Sequence, residues 1–153
     1  MWRTAIALVP IAALLGGCGS DSSEPLSRDR LVQRANEICA ERIREIERLE
    51  KGLDPTDDEG GDALADFARV LPQIADNFRQ LMDDLGELEP PESIAEQYEL
   101  TLSRIDRVAD QLDRAATEAE EGDRRAFQAV LQEEAAAEST ERFFRENGFR
   151  ECA

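Results

Sequence analysis

Apolar residues recur at steps of three and four along most of the chain, and no stretch shows the strict alternation of a half-buried strand. The plainest run is Leu64, Phe67, Leu71, Ile74, Phe78, Leu81, Leu85 and Leu88, which places every member on one face of a helix. An earlier segment carries Leu31, Val32, Ala35, Ile38, Cys39, Ile43, Ile46 and Leu49 in the same rhythm. A third carries Ile94, Tyr98, Leu102, Ile105, Ala109, Leu112, Ala116 and Ala119, and a fourth carries Phe127, Val130, Leu131, Ala137 and Phe144. The pattern predicts four helices and an all-α fold.

Residues that start and stop helices stand between these runs. Ser27 is placed to cap the first helix, which runs to Lys51 with Gly52 as its stop. Residues 52–61 are rich in Asp, Gly and Pro and read as a connection. Pro72 lies inside the second run and predicts a kink or a break near Leu71, because proline lacks an N–H and crowds the preceding turn. Pro90-Pro91 marks the next boundary, with Pro91 suited to a first helical turn. Gly122 ends the third helix, Asp123 caps the fourth, and Asn147-Gly148 closes it. Four helices of about 25–31 residues would each be roughly 37–46 Å long. Matched lengths and short connections suit an up-down-up-down four-helix bundle.

The N-terminus has a different character. Arg3 precedes an apolar run from Ala5 to Leu15, too short to span a bilayer and typical of a signal peptide that is removed. The run leads into Leu15-Gly16-Gly17-Cys18, with no Ala-x-Ala cleavage site at its end. This tetrapeptide resembles the lipobox of bacterial lipoproteins. The resemblance implies a diacylglycerol on the Cys18 thiol and cleavage just before it, with acyl chains holding the protein on the extracytoplasmic side of the cell membrane. It divides the chain into a signal peptide (1–17), a lipidated N-terminus and tether (18–25) and a helical domain (26–153). The tether, Gly19 to Pro25, spans roughly 15 Å as a coil, which keeps the domain near the membrane.

The helical part resembles small uncharacterised lipoproteins of high-GC Gram-positive bacteria. The residues that carry this likeness are Asn36-Glu37-Ile38-Cys39, Leu88-Glu89-Pro90-Pro91 and Asn147-Gly148-Phe149. They are structural motifs, and no activity follows from them.

Charge narrows the partners. The chain has 18 basic and 35 acidic residues, a net charge of −17. Loss of residues 1–17 removes Arg3 and no acid, which brings it to −18. Such a surface repels phosphate backbones, which excludes nucleic acid as a partner, and it disfavours an electrostatic hold on anionic lipid. Histidine is absent, and with it the commonest general base and zinc ligand. With Cys18 given to lipid by the lipobox likeness, Cys39 and Cys152 remain. They predict a disulfide in an oxidising compartment, with two free thiols as the alternative. In a bundle, the tail after Gly148 must then turn back along the first helix, and Phe149 would pack over the bundle end with Phe143 and Phe144.

Candidate sites are few. Arg42 falls within the apolar stripe of the first helix, and Glu134 and Glu141 fall within that of the fourth. Antiparallel pairing of these helices puts Arg42 at about the level of Glu134 and predicts a partly buried ion pair there; the alternative is that all three side chains reach sideways to water. The acidic stretch Asp54 to Asp62 fails the EF-hand pattern, with Glu59 where glycine is needed, and reads as a solvated turn. No Gly-x-Ser-x-Gly elbow, P-loop or nucleotide-binding glycine pattern occurs, so neither a catalytic residue nor a cofactor is assigned. The expected role is a non-catalytic interaction or structural module that meets a protein of the cell envelope. The alternative is a carrier or sensor that holds a small ligand between helices. Alanine-rich faces on the third and fourth segments favour the first.

Overall fold

A computed structural model describes residues 25–51, 53, 62–133 and 137–153. Among the described residues every regular element is helical. These are α1 (Arg28–Glu50), α2 (Asp62–Gly86), α3 (Ala95–Glu120), α4 (Arg124–Leu131) and α5 (Ala137–Asn147), followed by a 3₁₀ turn at Arg150–Cys152. The N-terminal segment with Cys18, the acidic stretch 54–61 and Glu134 lie outside the described residues.

The elements follow the apolar pattern with three departures. Pro72 does not break α2, which continues from Asp62 to Gly86. Losing one hydrogen bond and accommodating the ring costs a helix about 3 kcal/mol. Burial of Val70, Leu71, Ile74 and Ala75 around the proline holds the helix together nonetheless. The third helix begins at Ala95 rather than at Pro91: residues 92–94 form a turn, with the Ile94 N–H donating to the Pro91 carbonyl at 3.0 Å. The expected single fourth helix is two, because α4 ends at Leu131 and α5 begins at Ala137.

The helix ends are otherwise those the residues dictate. Asp123 accepts hydrogen bonds from the backbone N–H groups of Arg125 and Ala126 at 3.1 and 2.9 Å, which caps α4. Gly122 and Gly148 take φ values of 76° and 86°, a left-handed conformation in which glycine ends a helix without strain. Ser27 holds the cap position of α1, but its side chain makes no capping bond.

Two apolar clusters fill the interior. The first unites Leu31, Ala35 and Cys39 of α1 with Leu81 and Leu85 of α2, Ile94, Tyr98 and Ile105, and Phe143, Phe144 and Phe149. The second unites Ile46 of α1 with Val70, Leu71 and Ile74 of α2, Ala115, Ala116 and Ala119 of α3, and Phe127 of α4. Each of α1, α2 and α3 therefore contributes to both clusters, whereas α4 serves only the second and α5 only the first. The most extensive packing is α2 on α3, and α1 lies against α2 and the 3₁₀ turn.

Candidate functional site

The structure gathers its most distinctive chemistry where the chain enters the domain. The Leu26 N–H donates to the Glu89 carbonyl at 2.9 Å, which ties the first described residues to the connection between α2 and α3. Further along, at the middle of α1, Cys39 forms a disulfide with Cys152, with an S–S distance of 2.03 Å across 113 residues of sequence. Cys39 is fully buried and Cys152 partly so.

Asn36, one turn before Cys39, secures the same tail by polar contacts. Its Nδ2 donates to the Gly148 carbonyl at 3.2 Å, and its Oδ1 accepts from the Glu151 N–H at 3.0 Å. Arg28 adds a bond from its guanidinium to Asn147 Oδ1 at 3.0 Å. The reversal at Gly148 runs close to Val32, whose methyls lie 3.7 and 3.9 Å from where a Cβ would stand. The tail therefore turns back along α1, as the disulfide requires.

An aromatic group fills the space beneath. Phe149 is fully buried, with its ring centroid 6.0 Å from Phe143, 5.9 Å from Phe144 and 6.2 Å from Tyr98. The Tyr98 hydroxyl donates to the Leu85 carbonyl at 2.8 Å, a partner that a buried phenol needs. Burial pushes the Tyr98 hydroxyl pKa up, because the charged form would lose its solvation. The three motifs around Asn36, Pro90 and Gly148, far apart in sequence, thus meet at one end of the molecule.

The expected pairing of Arg42 with Glu134 falls outside the described residues, and within them Arg42 is engaged by α2. Its Nε and Nη2 both bond Asp84 Oδ2 of α2, at 2.9 and 2.7 Å, and Nη1 bonds Gln80 at 2.7 Å. Glu141 is exposed on α5. The physical reason is the packing: α1 lies along α2, so the guanidinium meets α2 first. Arg79 performs the same service between α2 and α3, reaching Asp110 at 3.0 Å and Asp113 at 2.7 Å.

Two polar residues that the sequence pattern did not single out are Gln111, which is buried, and Arg114, which is exposed. Gln111 Nε2 donates to the carbonyls of Val130 and Glu133 at 2.6 and 3.2 Å, which satisfies backbone groups left open where α4 stops. Arg114 grips Glu133 with two bonds of 2.9 and 2.6 Å. That hydrogen-bonded cation holds the exposed Glu133 carboxyl below its ordinary pKa.

Grooves open between the helices at the surface. One, of about 860 Å³, lies between the start of α2 and the turn from α3 to α4, near Leu64, Ala68, Pro72 and Gly122. A second, of about 690 Å³, lies between the end of α2 and the first half of α3. Among the described residues no helix is long and apolar enough to cross a membrane. No family model matches the chain, and neither a curated protein nor a solved structure is found to be similar to it.

Proposed function

We propose that this chain is an exported lipoprotein, held to the cell membrane by acyl chains on Cys18, whose helical domain acts as a non-catalytic interaction module in the envelope. The observation that carries the reading is the Cys39–Cys152 disulfide, which staples the last residues to the middle of α1. Disulfides persist in compartments outside the reducing cytoplasm, which fits export. A tether of about seven residues would place the start of α1 nearest the bilayer.

The fourth rod of the bundle is then α4 and α5 in line, and the topology is up-down-up-down. The sharing of both clusters by α1, α2 and α3 supports this arrangement. Buried alanines at 109, 115, 116 and 119 let α3 approach its neighbours closely, which favours a filled module over a carrier with an interior ligand.

Metabolic labelling with palmitate in a bacterial host tests the anchor. The expected result is labelled protein in the membrane fraction whose mature chain begins at Cys18. The Cys18→Ala variant should be unlabelled and lose the lipid-dependent attachment. A mature chain that begins elsewhere, or wild-type protein that takes up no label, would overturn the reading. Crosslinking in cells followed by mass spectrometry then identifies the envelope protein that the domain meets.

A further inference from the structure

We infer that Asn147 is a site of spontaneous deamidation that the Cys39–Cys152 disulfide keeps closed, so that loss of the disulfide leaves a permanent covalent change in the tail. The reactive pair stands in the sequence. Of the three asparagines, Asn36 precedes Glu37, Asn77 precedes Phe78 and Asn147 precedes Gly148. In the reaction the Gly148 backbone nitrogen loses its proton and bonds to Asn147 Cγ, and the side-chain amide leaves as ammonia. Water then opens the resulting succinimide at one carbonyl or the other, which gives aspartate or isoaspartate. No electrons are exchanged. A side chain on the following residue crowds the attack, and glycine has none.

The folded tail withholds both partners of that reaction. Asn147 is the last residue of α5, and its Nδ2 donates to the Phe143 carbonyl one turn earlier, at 2.9 Å. Its Oδ1 accepts from the Arg28 guanidinium at 3.0 Å. The side chain is therefore drawn back along the helix, away from the nitrogen that must reach it. That nitrogen is engaged as well. The Gly148 N–H donates to the Arg145 carbonyl at 3.4 Å and the Phe149 N–H to the Phe144 carbonyl at 2.9 Å, the paired bonds of a Schellman helix end. The Gly148 carbonyl in turn accepts from Asn36 at 3.2 Å.

What holds this arrangement lies just beyond it. Phe149 is buried among Phe143, Phe144 and Tyr98, and the disulfide fixes Cys152 to α1. The chain is thus anchored on both sides of Gly148, which denies Asn147 the backbone rotation that the attack needs. A dithiol reductant breaks the staple by exchange, itself becoming a cyclic disulfide and leaving Cys39 and Cys152 as thiols. The tail then opens locally, Asn147 leaves the helical conformation, and the Gly148 nitrogen reaches Cγ. Reoxidation does not reverse the product. A carboxylate only accepts, so it cannot replace the bond to the Phe143 carbonyl, and isoaspartate lengthens the main chain ahead of Phe149.

The test incubates the full chain in mildly alkaline buffer and follows its tryptic peptide of residues 146–150 by mass spectrometry. A synthetic peptide of residues 145–150 gives the unprotected rate. The oxidised chain should deamidate at Asn147 at least tenfold more slowly than this peptide. Dithiothreitol, and separately the C39S/C152S variant without reductant, should each raise the rate at least fivefold while circular dichroism shows that the helices persist. Asn77, which lies within α2 ahead of a phenylalanine, is the internal control and should stay intact in every sample.

An oxidised chain that deamidates as fast as the peptide would overturn the protection. Equal rates with and without the disulfide would remove the staple as its gate. Loss of the helical signal on reduction would make the protection a property of the whole fold, and would overturn the local opening of the tail.

Discussion

The two ends of the domain are closed by different means. In the half that holds the start of α1, the Asn36 contacts, four aromatic rings and, at mid-helix, a disulfide bind the last residues to α1 and α3. At the far end the interior is built from Ala115, Ala116, Ala119 and aliphatic residues, with one aromatic contact among the described residues, Phe67 to Phe127 at 5.1 Å. That end rests on α4, an eight-residue helix whose C-terminus depends on Gln111 and Arg114 for its partners. Isolated helices this short are marginal in water, so α4 depends on its packing. The contrast marks where the molecule is fastened and where it is free to yield: the fastened half is the one that holds the first described residues.

Removing the staple should have the largest effect. Cys39→Ser with Cys152→Ser opens a loop of 113 residues. In the chain-entropy model the loss is about 4–5 kcal/mol, read as a lower urea midpoint. If the comparison is right, proteolysis of the variant begins in the tail after Gly148, and α4 is cut no faster than before. Next come the aromatic residues. Phe149→Ala should cost about 3–5 kcal/mol, the range for burying a cavity where a ring stood, and Phe127→Ala should fall at the low end of that range because α4 can settle inward. Equal losses in urea denaturation would erase the distinction.

Asn36→Ala should cost about 1–2 kcal/mol, since it deprives the Gly148 carbonyl and the Glu151 N–H of their partner. The loss should appear in thermal melts of the oxidised protein. The smallest effect at neutral pH is that of Tyr98, the chain's one tyrosine. Its pKa is raised in the folded state, so its contribution is complete below about pH 10, the value of a free phenol, and falls as pH rises above it. Ultraviolet titration should show no phenolate until the protein unfolds in alkali. Ionisation near pH 10 with the fold intact would mean that the aromatic group is open to water.

Much of this architecture is legible in the residues. The three- and four-residue spacing located the helical segments, and Gly122, Asp123 and Gly148 end or cap helices as their chemistry demands. Cysteine arithmetic found the pair, and Phe149 packs where the returning tail must put it. The interruption after Leu131 was not legible. Gln132, Glu133, Glu134, Ala135 and Ala136 are all residues that favour or tolerate helix, and the partners of the break come from α3, a distant part of the chain. The partner of Arg42 was hidden for a related reason. Its place in the stripe follows from spacing, but Asp84 follows only from which helix packs alongside.

Native-state hydrogen exchange, residue by residue under conditions where opening limits nothing but the equilibrium, tests the contrast between the ends most directly. The amides of Tyr98, Phe149 and Cys152 should exchange only through global unfolding, whereas those of Ala126 to Val130 in α4 should exchange through a lower-energy local opening. Protection in α4 equal to or above that of Phe149 and Cys152 would contradict the account.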